Sequence, residues 1–238
     1  MAPDSGVPDI AANLDAVRRR IEAAAHGVRR SSRDITLIAV SKTVEAERVR
    51  AAAAAGHLAF GENRVQEALA KIEALADLTI EWHLIGHLQS NKARRAAAAF
   101  ACIHSVDSPD LLQRLDRAAA EAGRRPRILI QVDLAHEATK HGADETAAAD
   151  LARAAADARS LDLRGLMIVP PLGDTAEASR PWFRRLRELR DRLVDSGLPA
   201  SSMRELSMGM SHDFEVAIEE GATMVRVGTA IFGGRPPA

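Results

Sequence analysis

The sequence predicts an α/β fold: a single (β/α)8 TIM barrel with one additional N-terminal helix. Eight short apolar segments recur along the chain, and Ala-rich segments with helical spacing separate them. The apolar segments are nearly continuous rather than alternating, which is typical of parallel strands that are covered on both faces. Eight such units in about 200 residues match the small end of the size range of TIM barrels.

The additional helix is predicted over about residues 10–29, where Leu14, Val17 and Ile21 recur at helical spacing. The barrel follows over about residues 36–235. We interpret residues 1–238 as one domain because no linker or low-complexity tract divides the sequence. The predicted strands lie at residues 36–42, 57–63, 81–86, 102–107, 127–134, 163–170, 205–211 and 224–233.

An open, doubly wound sheet is the alternative to a barrel. That fold needs fewer strands and usually has a Gly-rich turn, G-x-G-x-x-G, after its first strand. The predicted first strand, residues 36–42, is followed by no such motif. The sequence therefore favours the barrel.

Composition excludes several functional classes. A net charge of −1 gives no basic excess for nucleic acid, and 3% aromatic residues with no Tyr argue against a platform for stacking bases. Cys102 is the single cysteine, so a disulfide scaffold is excluded, and we expect its thiol to be buried among apolar groups. No apolar stretch of about 18 residues predicts a membrane helix, and the first ten residues do not resemble a secretion signal. We expect a cytoplasmic protein.

Polar residues follow the predicted strands, and the C-terminal ends of the strands carry the active site in TIM barrels. Lys42 ends the first strand and is one of four lysines among 32 basic residues. A lysine whose stem packs while its head reaches solvent is the ordinary interpretation. An amine near apolar walls instead becomes a nucleophile toward carbonyl carbon, which a guanidinium does not.

The last two strands carry a predicted phosphate site. Ser211 follows strand seven, and Gly228 and Thr229 follow the apolar start of strand eight. The loops after these strands hold phosphate in many barrels, and a glycine lets the phosphate approach the backbone. The alternative is that the glycine only allows the backbone to turn. Arg226 lies between two valines, so we expect it to be buried and either ion-paired or directed at a ring nitrogen of a ligand.

Two further patterns concern Met208 and a histidine pair. The methionines of the late strands predict adaptable packing around the barrel interior or a cofactor, and we include Met208 among the predicted cofactor contacts. His83 and His87 are four residues apart, but no third ligand has a clear spacing and no H-E-x-x-H motif is present. We therefore predict no metal site.

Several segments together resemble the pyridoxal phosphate homeostasis protein family. They are residues 40–43, 60–67, 81–92, 165–167, 206–211 and 224–233. The resemblance spans about residues 36–235, nearly the whole chain. The sequence departs from the family pattern at Arg64, where Tyr is common, at Asp133, where Asn is common, and at Glu45, where Pro is frequent.

The resemblance implies a barrel that binds pyridoxal 5′-phosphate (PLP) and is related to the N-terminal domain of alanine racemase. It implies that Lys42 forms an imine with PLP and that Arg226 contacts the pyridine nitrogen. Ser211, Gly228 and Thr229 would hold the phosphate. Asn63 would lie close to the cofactor.

The implied function is intracellular PLP (vitamin B6) homeostasis without robust catalysis. Apart from the resemblance, we expect a monomer, with PLP-dependent apo-enzymes as recipients of PLP. The alternative is a PLP-dependent enzyme that resembles an amino-acid racemase. Racemisation on this fold uses a lysine and a tyrosine as two bases, and this sequence contains no Tyr. Weak racemase-like activity stays open as an interpretation, and a scaffold that binds no cofactor is the remaining one.

Overall fold

The structure is a computed structural model that describes residues 9–135 and 141–234. Eight parallel strands form a closed barrel in which each strand pairs with the next and β8 pairs with β1. This confirms the predicted TIM barrel. Residues 1–8 and 235–238, the two ends of the predicted 1–238 domain, lie outside the described residues. Residue 235 is also the last residue of the predicted barrel. The strands are β1 (Thr36–Val40), β2 (Ala59–Glu62), β3 (Glu81–Leu84), β4 (Cys102–Val106), β5 (Arg127–Val132), β6 (Asp162–Ile168), β7 (Glu205–Met210) and β8 (Met224–Val227).

Helices surround the barrel. They are α1 (Ile10–Gly27), α2 (Ala46–Ala54), α3 (Val65–Ala74), α4 (Ala93–Ala99), α5 (Pro109–Glu121), α6 (Glu145–Ala156), α7 (Arg180–Asp195), α8 (Phe214–Glu219) and α9 (Thr229–Phe232). The additional helix α1 begins after Asp9, whose Oδ1 accepts a hydrogen bond from the Ala12 N–H at 3.0 Å. Its buried face packs against α8, α9 and α2. No helix among the described residues combines the length and the apolarity needed to cross a membrane.

The prediction for strand eight is wrong beyond residue 227. At Gly228 the backbone leaves the extended conformation (φ −118°, ψ −72°), and α9 follows. The Gly228 carbonyl accepts hydrogen bonds from Ile231 N–H and Phe232 N–H, both at 2.9 Å. These two side chains are buried, which is why the segment has the apolar character of a strand in the sequence. The turn places Gly228 and Thr229 at the barrel rim.

Within the part of the chain that the structure describes, the buried apolar residues form two cores. The larger core fills the layer between the strands and the helices. The smaller one lies inside the barrel and consists of Ile38, Cys102, Leu129, Met167 and Met224. Cys102 is fully buried, as expected, and burial raises the pKa of its thiol to about 12.

Gly165 in β6 offers a test of the barrel packing. Its φ is +154°, and an added Cβ would lie 1.9 Å from the carbonyl oxygen of Glu205 on β7. We expect Gly165→Ala to lower the free energy of unfolding by about 2–4 kcal/mol, through backbone strain and overlap between neighbouring strands. The measurement is urea denaturation.

Gly27→Ala at the end of α1 is the matched control, because an added Cβ there meets nothing within 4 Å. We expect it to change the free energy of unfolding by less than about 1 kcal/mol. Equal stability of the two variants would contradict the close approach of β6 and β7.

Candidate functional site

Most of the predicted site residues lie on one half of the barrel rim. Lys42 comes two residues after β1, Asn63 directly after β2, Ser211 after β7 and Gly228 after β8. In the closed barrel β7, β8, β1 and β2 are consecutive neighbours. These four residues are partly exposed, so a ligand at the mouth can reach them.

Ser211 and Gly228 are in direct contact. The Gly228 N–H donates to Ser211 Oγ at 3.2 Å, which joins the ends of β7 and β8. Asp213 fixes the turn after β7, because its carboxylate accepts from the Met210 N–H and from Ser179 Oγ, each at 2.7 Å. The result is a hydroxyl and a backbone amide held together at the rim, beside the exposed Thr229.

Gly228 also lies tightly against β1. A Cβ at this position would meet Val40 at 3.3 Å, closer than most side-chain contacts. Because Ala39 pairs with Val227, Lys42 continues β1 just above the level of Gly228. A small cavity at this place is lined by Lys42, Gly228 and Thr229 among others.

Arg226 is buried inside the barrel, with 4% of its surface exposed. One terminal nitrogen donates to Ser207 Oγ at 2.6 Å and the other to the Ile168 carbonyl at 2.8 Å. Both acceptors are neutral oxygens rather than carboxylates. Burial lowers the pKa of Arg226 to about 10, against the opposing charge of Asp213. The guanidinium therefore stays charged at neutral pH.

A polar chain runs through the barrel interior to Arg226. His83 Nε2 lies 2.8 Å from Glu81 Oε1, His83 Nδ1 lies 3.0 Å from His104 Nε2, and His104 Nδ1 lies 2.9 Å from Ser207 Oγ. His83, His104 and Ser207 are fully buried. Burial lowers the pKa of both histidines and so favours their neutral forms, while the hydrogen bond to Glu81 opposes the shift at His83. This chain of hydrogen bonds connects the Glu81 carboxylate to Ser207 Oγ, which accepts a hydrogen bond from Arg226.

Sequence reasoning missed this chain because it considered His83 only as a partner of His87. The structure separates the two: His83 lies in the barrel interior and His87 on the exposed rim. The sequence did contain a signal for this interior position, because side chains alternate between the two faces of a strand. Residues two apart face the same side, so Cys102 and His104 share the interior face of β4.

A second buried network surrounds the base of Lys42. Glu62, at the end of β2, has no exposed surface, and its Oε1 accepts from Ser41 Oγ at 2.6 Å and from Lys71 Nζ at 2.7 Å. Lys71 Nζ also donates to the Ser41 carbonyl at 2.6 Å. Burial raises the pKa of Glu62, and the bonds from Lys71 and Ser41 oppose that rise.

Glu67 extends this network to the residue after Lys42. Its Oε1 accepts from Lys71 Nζ at 3.0 Å and from the Thr43 N–H at 2.5 Å. Thr43 has a φ of +62°, a conformation that is costly for a β-branched residue. The network thus holds Ser41 and Thr43, the two neighbours of Lys42, and fixes the turn between β1 and α2. Sequence reasoning missed it because Lys71 has the spacing of an ordinary helix residue.

Met208 and Asn63 complete the predicted set. The Met208 side chain is fully buried in the layer between the strands and the helices, away from the mouth, so we leave it out of the proposed contacts. Asn63 lies at the rim, where its backbone packs against the end of β3. A Cβ on Gly86 would meet the Asn63 carbonyl oxygen at 2.3 Å, so only glycine fits there.

Known proteins resemble this chain in sequence and in structure. The family model described as alanine racemase, N-terminal domain, matches residues 12–236. The pyridoxal phosphate homeostasis protein of Pseudomonas aeruginosa is 46% identical over 95% of this chain and 96% of its own length. The protein of the same name from Aquifex aeolicus is 42% identical over 93% and 96%.

Among solved structures, PipY of Synechococcus elongatus with PLP bound has a TM-score of 0.84 and 43% identity, and the match covers 94% of this chain and 100% of PipY. An alanine racemase of Clostridium difficile has a TM-score of 0.74 at 14% identity. That match covers 96% of this chain and 57% of the racemase. The second likeness concerns the fold alone.

Proposed function

The chain belongs to the pyridoxal phosphate homeostasis proteins, within the family of the alanine racemase N-terminal domain, and on that premise we propose that it binds PLP at the barrel mouth in PLP homeostasis. One observation carries the proposal. Ser211 and Gly228 are in contact at the ends of β7 and β8, and β8, which carries the buried Arg226, is the direct neighbour of the strand that leads to Lys42. The names of the relatives and the PLP in the PipY structure support the same ligand.

The fit to the phosphate rests on Ser211, Gly228 and Thr229. A phosphate accepts hydrogen bonds, and this part of the rim offers a rotatable hydroxyl and backbone N–H groups. Gly228 has no Cβ, which at this position would lie 3.3 Å from Val40, and its N–H donates to Ser211 Oγ, so the amide and the hydroxyl are held side by side at the rim. These contacts position a ligand and require no catalytic base.

The fit to the pyridine nitrogen rests on Arg226. Its guanidinium has five N–H donors, of which Ser207 and Ile168 engage two. A cationic donor at this nitrogen disfavours protonation of the ring, because two positive charges would repel. PLP supplies an aldehyde and an electron-accepting ring, and an unprotonated ring accepts electrons less well. Arg226 therefore favours a protein that binds PLP over an enzyme that uses PLP to stabilise a carbanion.

The fit to the aldehyde rests on Lys42. A primary amine condenses with an aldehyde to an imine with loss of water, and Lys42 is the amine at the end of β1. The buried network of Glu62, Lys71 and Glu67 keeps the turn that carries Lys42 in one conformation. We propose that Asn63 lies beside the bound cofactor.

We extend the proposal to the setting of this binding. The chain would act as a cytoplasmic monomer, with PLP-dependent apo-enzymes as the recipients of PLP. The second candidate is a racemase-like enzyme, which the match to the alanine racemase N-terminal domain favours. Against it, the chain contains no Tyr for the second base. We therefore propose no robust catalysis.

The test is a visible absorption spectrum of the protein with PLP, followed by borohydride reduction and peptide mass spectrometry. We expect a yellow band and one reduced adduct, on Lys42. Lys42→Ala should lose both, whereas Lys92→Ala, which changes a lysine after β3, should keep both. An adduct spread over several lysines would contradict the assignment. Turnover of L- and D-alanine above that of free PLP would favour the racemase.

A further inference from the structure

Three polar side chains meet on the other half of the rim. His87 follows β3, Asp107 follows β4, and His141 lies in the segment after β5. Their ligand-type atoms all lie within 4.8 Å of one another. The two imidazole rings are stacked, with centroids 3.5 Å apart and an angle of 10° between their planes. Asp107 Oδ2 lies 3.5 Å from His87 Nδ1.

The backbone around His141 is bonded to β5, so the meeting of the three side chains follows from the fold. The Gln131 side chain donates to the His141 carbonyl at 2.6 Å. The Ala143 N–H donates to the Gln131 carbonyl, and the Asp133 N–H to the Ala143 carbonyl, both at 2.9 Å. Gly142 between them has a φ of +142°, and a Cβ there would lie 2.7 Å from the Asp133 nitrogen.

Although the sequence alone predicted no metal site, because the spacing of His87 pointed to no third ligand, we propose that His87, Asp107 and His141 bind a divalent transition-metal ion, with Zn²⁺ as the best match. Two imidazoles and one carboxylate are a ligand set that Zn²⁺ accepts, and three protein ligands leave a fourth position for water or a small ligand. With Zn–N and Zn–O bonds of about 2.0–2.2 Å, the donor atoms of a tetrahedral site are about 3.4 Å apart. The two stacked rings are nearly parallel and do not have that geometry, so metal binding requires the two exposed imidazoles to rotate until one nitrogen of each points at the ion.

The electrostatics of the group suit a cation. Asp107 supplies one negative charge, and its side chain is mostly buried, at 14% exposure. His87 and His141 are exposed, so solvent and small ligands have access to the group.

A second group of possible metal ligands is a weaker candidate. His83, Cys102 and His104 also bring their ligand atoms within 4.8 Å of one another, but all three are fully buried. The two imidazoles already hydrogen-bond to each other at 3.0 Å. An ion would have to break that bond inside a packed barrel, so we assign the site to the rim group.

The rim site and the proposed PLP site share no residue. Its ligands follow β3, β4 and β5, whereas Lys42, Asn63, Ser211 and Gly228 follow β1, β2, β7 and β8. Loss of zinc binding with an intact PLP band, or the reverse, therefore separates failure of one proposal from failure of the other.

The test is a calorimetric titration of the full chain with ZnCl₂, first without PLP, because PLP itself binds metals, and then with PLP loaded. We expect one ion per chain with a dissociation constant at or below the micromolar range. His87→Asn, His141→Asn and Asp107→Asn should each weaken binding by at least about tenfold. His26→Asn, which changes an exposed histidine of α1, should leave it unchanged.

A parallel titration with Co²⁺ reports the geometry, since a site of the proposed kind gives the visible absorption of tetrahedral cobalt. The PLP band should be the same in all four variants. Zinc binding that survives in the His87→Asn and His141→Asn variants would overturn the proposal, as would equal loss in His26→Asn.

Discussion

Replacement of Lys71 by methionine is expected to lower the free energy of unfolding by about 3–5 kcal/mol at neutral pH, because it leaves a buried carboxylate without its cation. Glu62 has no exposed surface, and Lys71 Nζ lies 2.7 Å from its Oε1. The other oxygen, Oε2, is buried without a hydrogen-bond partner among the described residues. Urea denaturation measures the loss.

The pH dependence distinguishes this charge effect from a loss of packing. Burial already raises the pKa of Glu62 in the folded protein, and removal of Lys71 raises it further. A carboxyl group whose pKa is raised on folding costs nothing while it is protonated in both states. The cost develops as the pH rises above the pKa of the unfolded state. The deficit of Lys71→Met should therefore be small near pH 4 and full at pH 8.

The double variant Glu62→Gln with Lys71→Met is the control for Lys71→Met. It removes both charges, so it should recover much of the stability and lose the pH dependence. A single variant that is as stable as the double variant at pH 8 would show that Glu62 does not rely on Lys71. A deficit that is equal at both pH values would point to packing instead.

The sequence predicted the barrel and its rim because strands and their polar ends leave local patterns. Lys42, Ser211 and Gly228 each follow an apolar run, and parallel strands bring such ends together. Strand eight was overextended because Ile231 and Phe232 are buried in a helix as apolar as the strand before it.

The supporting residues could not be predicted in the same way, because their burial comes from contacts between distant segments. Lys71 is separated from Ser41 by 30 residues, and His104 from Ser207 by 103. In the sequence each of them has the spacing of an ordinary helix or strand residue. The position of Met208 could have been predicted. Side chains alternate along β7, so Met208 lies on the outer face of the strand and its neighbour Ser207 on the inner face.

Replacement of Arg226 should weaken PLP binding without a comparable loss in the free energy of unfolding. Arg226→Met is expected to weaken PLP binding by about 10- to 150-fold, which corresponds to the loss of a charged hydrogen bond of about 1.5–3 kcal/mol. The stability of the cofactor-free protein should change by less than about 2 kcal/mol. Relief from burying a charge offsets the loss of the bonds to Ser207 and Ile168.

Spectroscopic titration with PLP and urea denaturation of the cofactor-free protein measure the two effects of Arg226→Met separately. Arg226→Lys is the matched control, since it keeps a charge but lacks the planar fork, and we expect it to bind PLP with intermediate affinity. Wild-type affinity in Arg226→Met would show that the guanidinium does not contact the ring nitrogen. A loss of affinity that appears only together with a collapse of stability would assign Arg226 to the barrel interior alone, because a residue that recognises the ring weakens binding in a protein that is still folded.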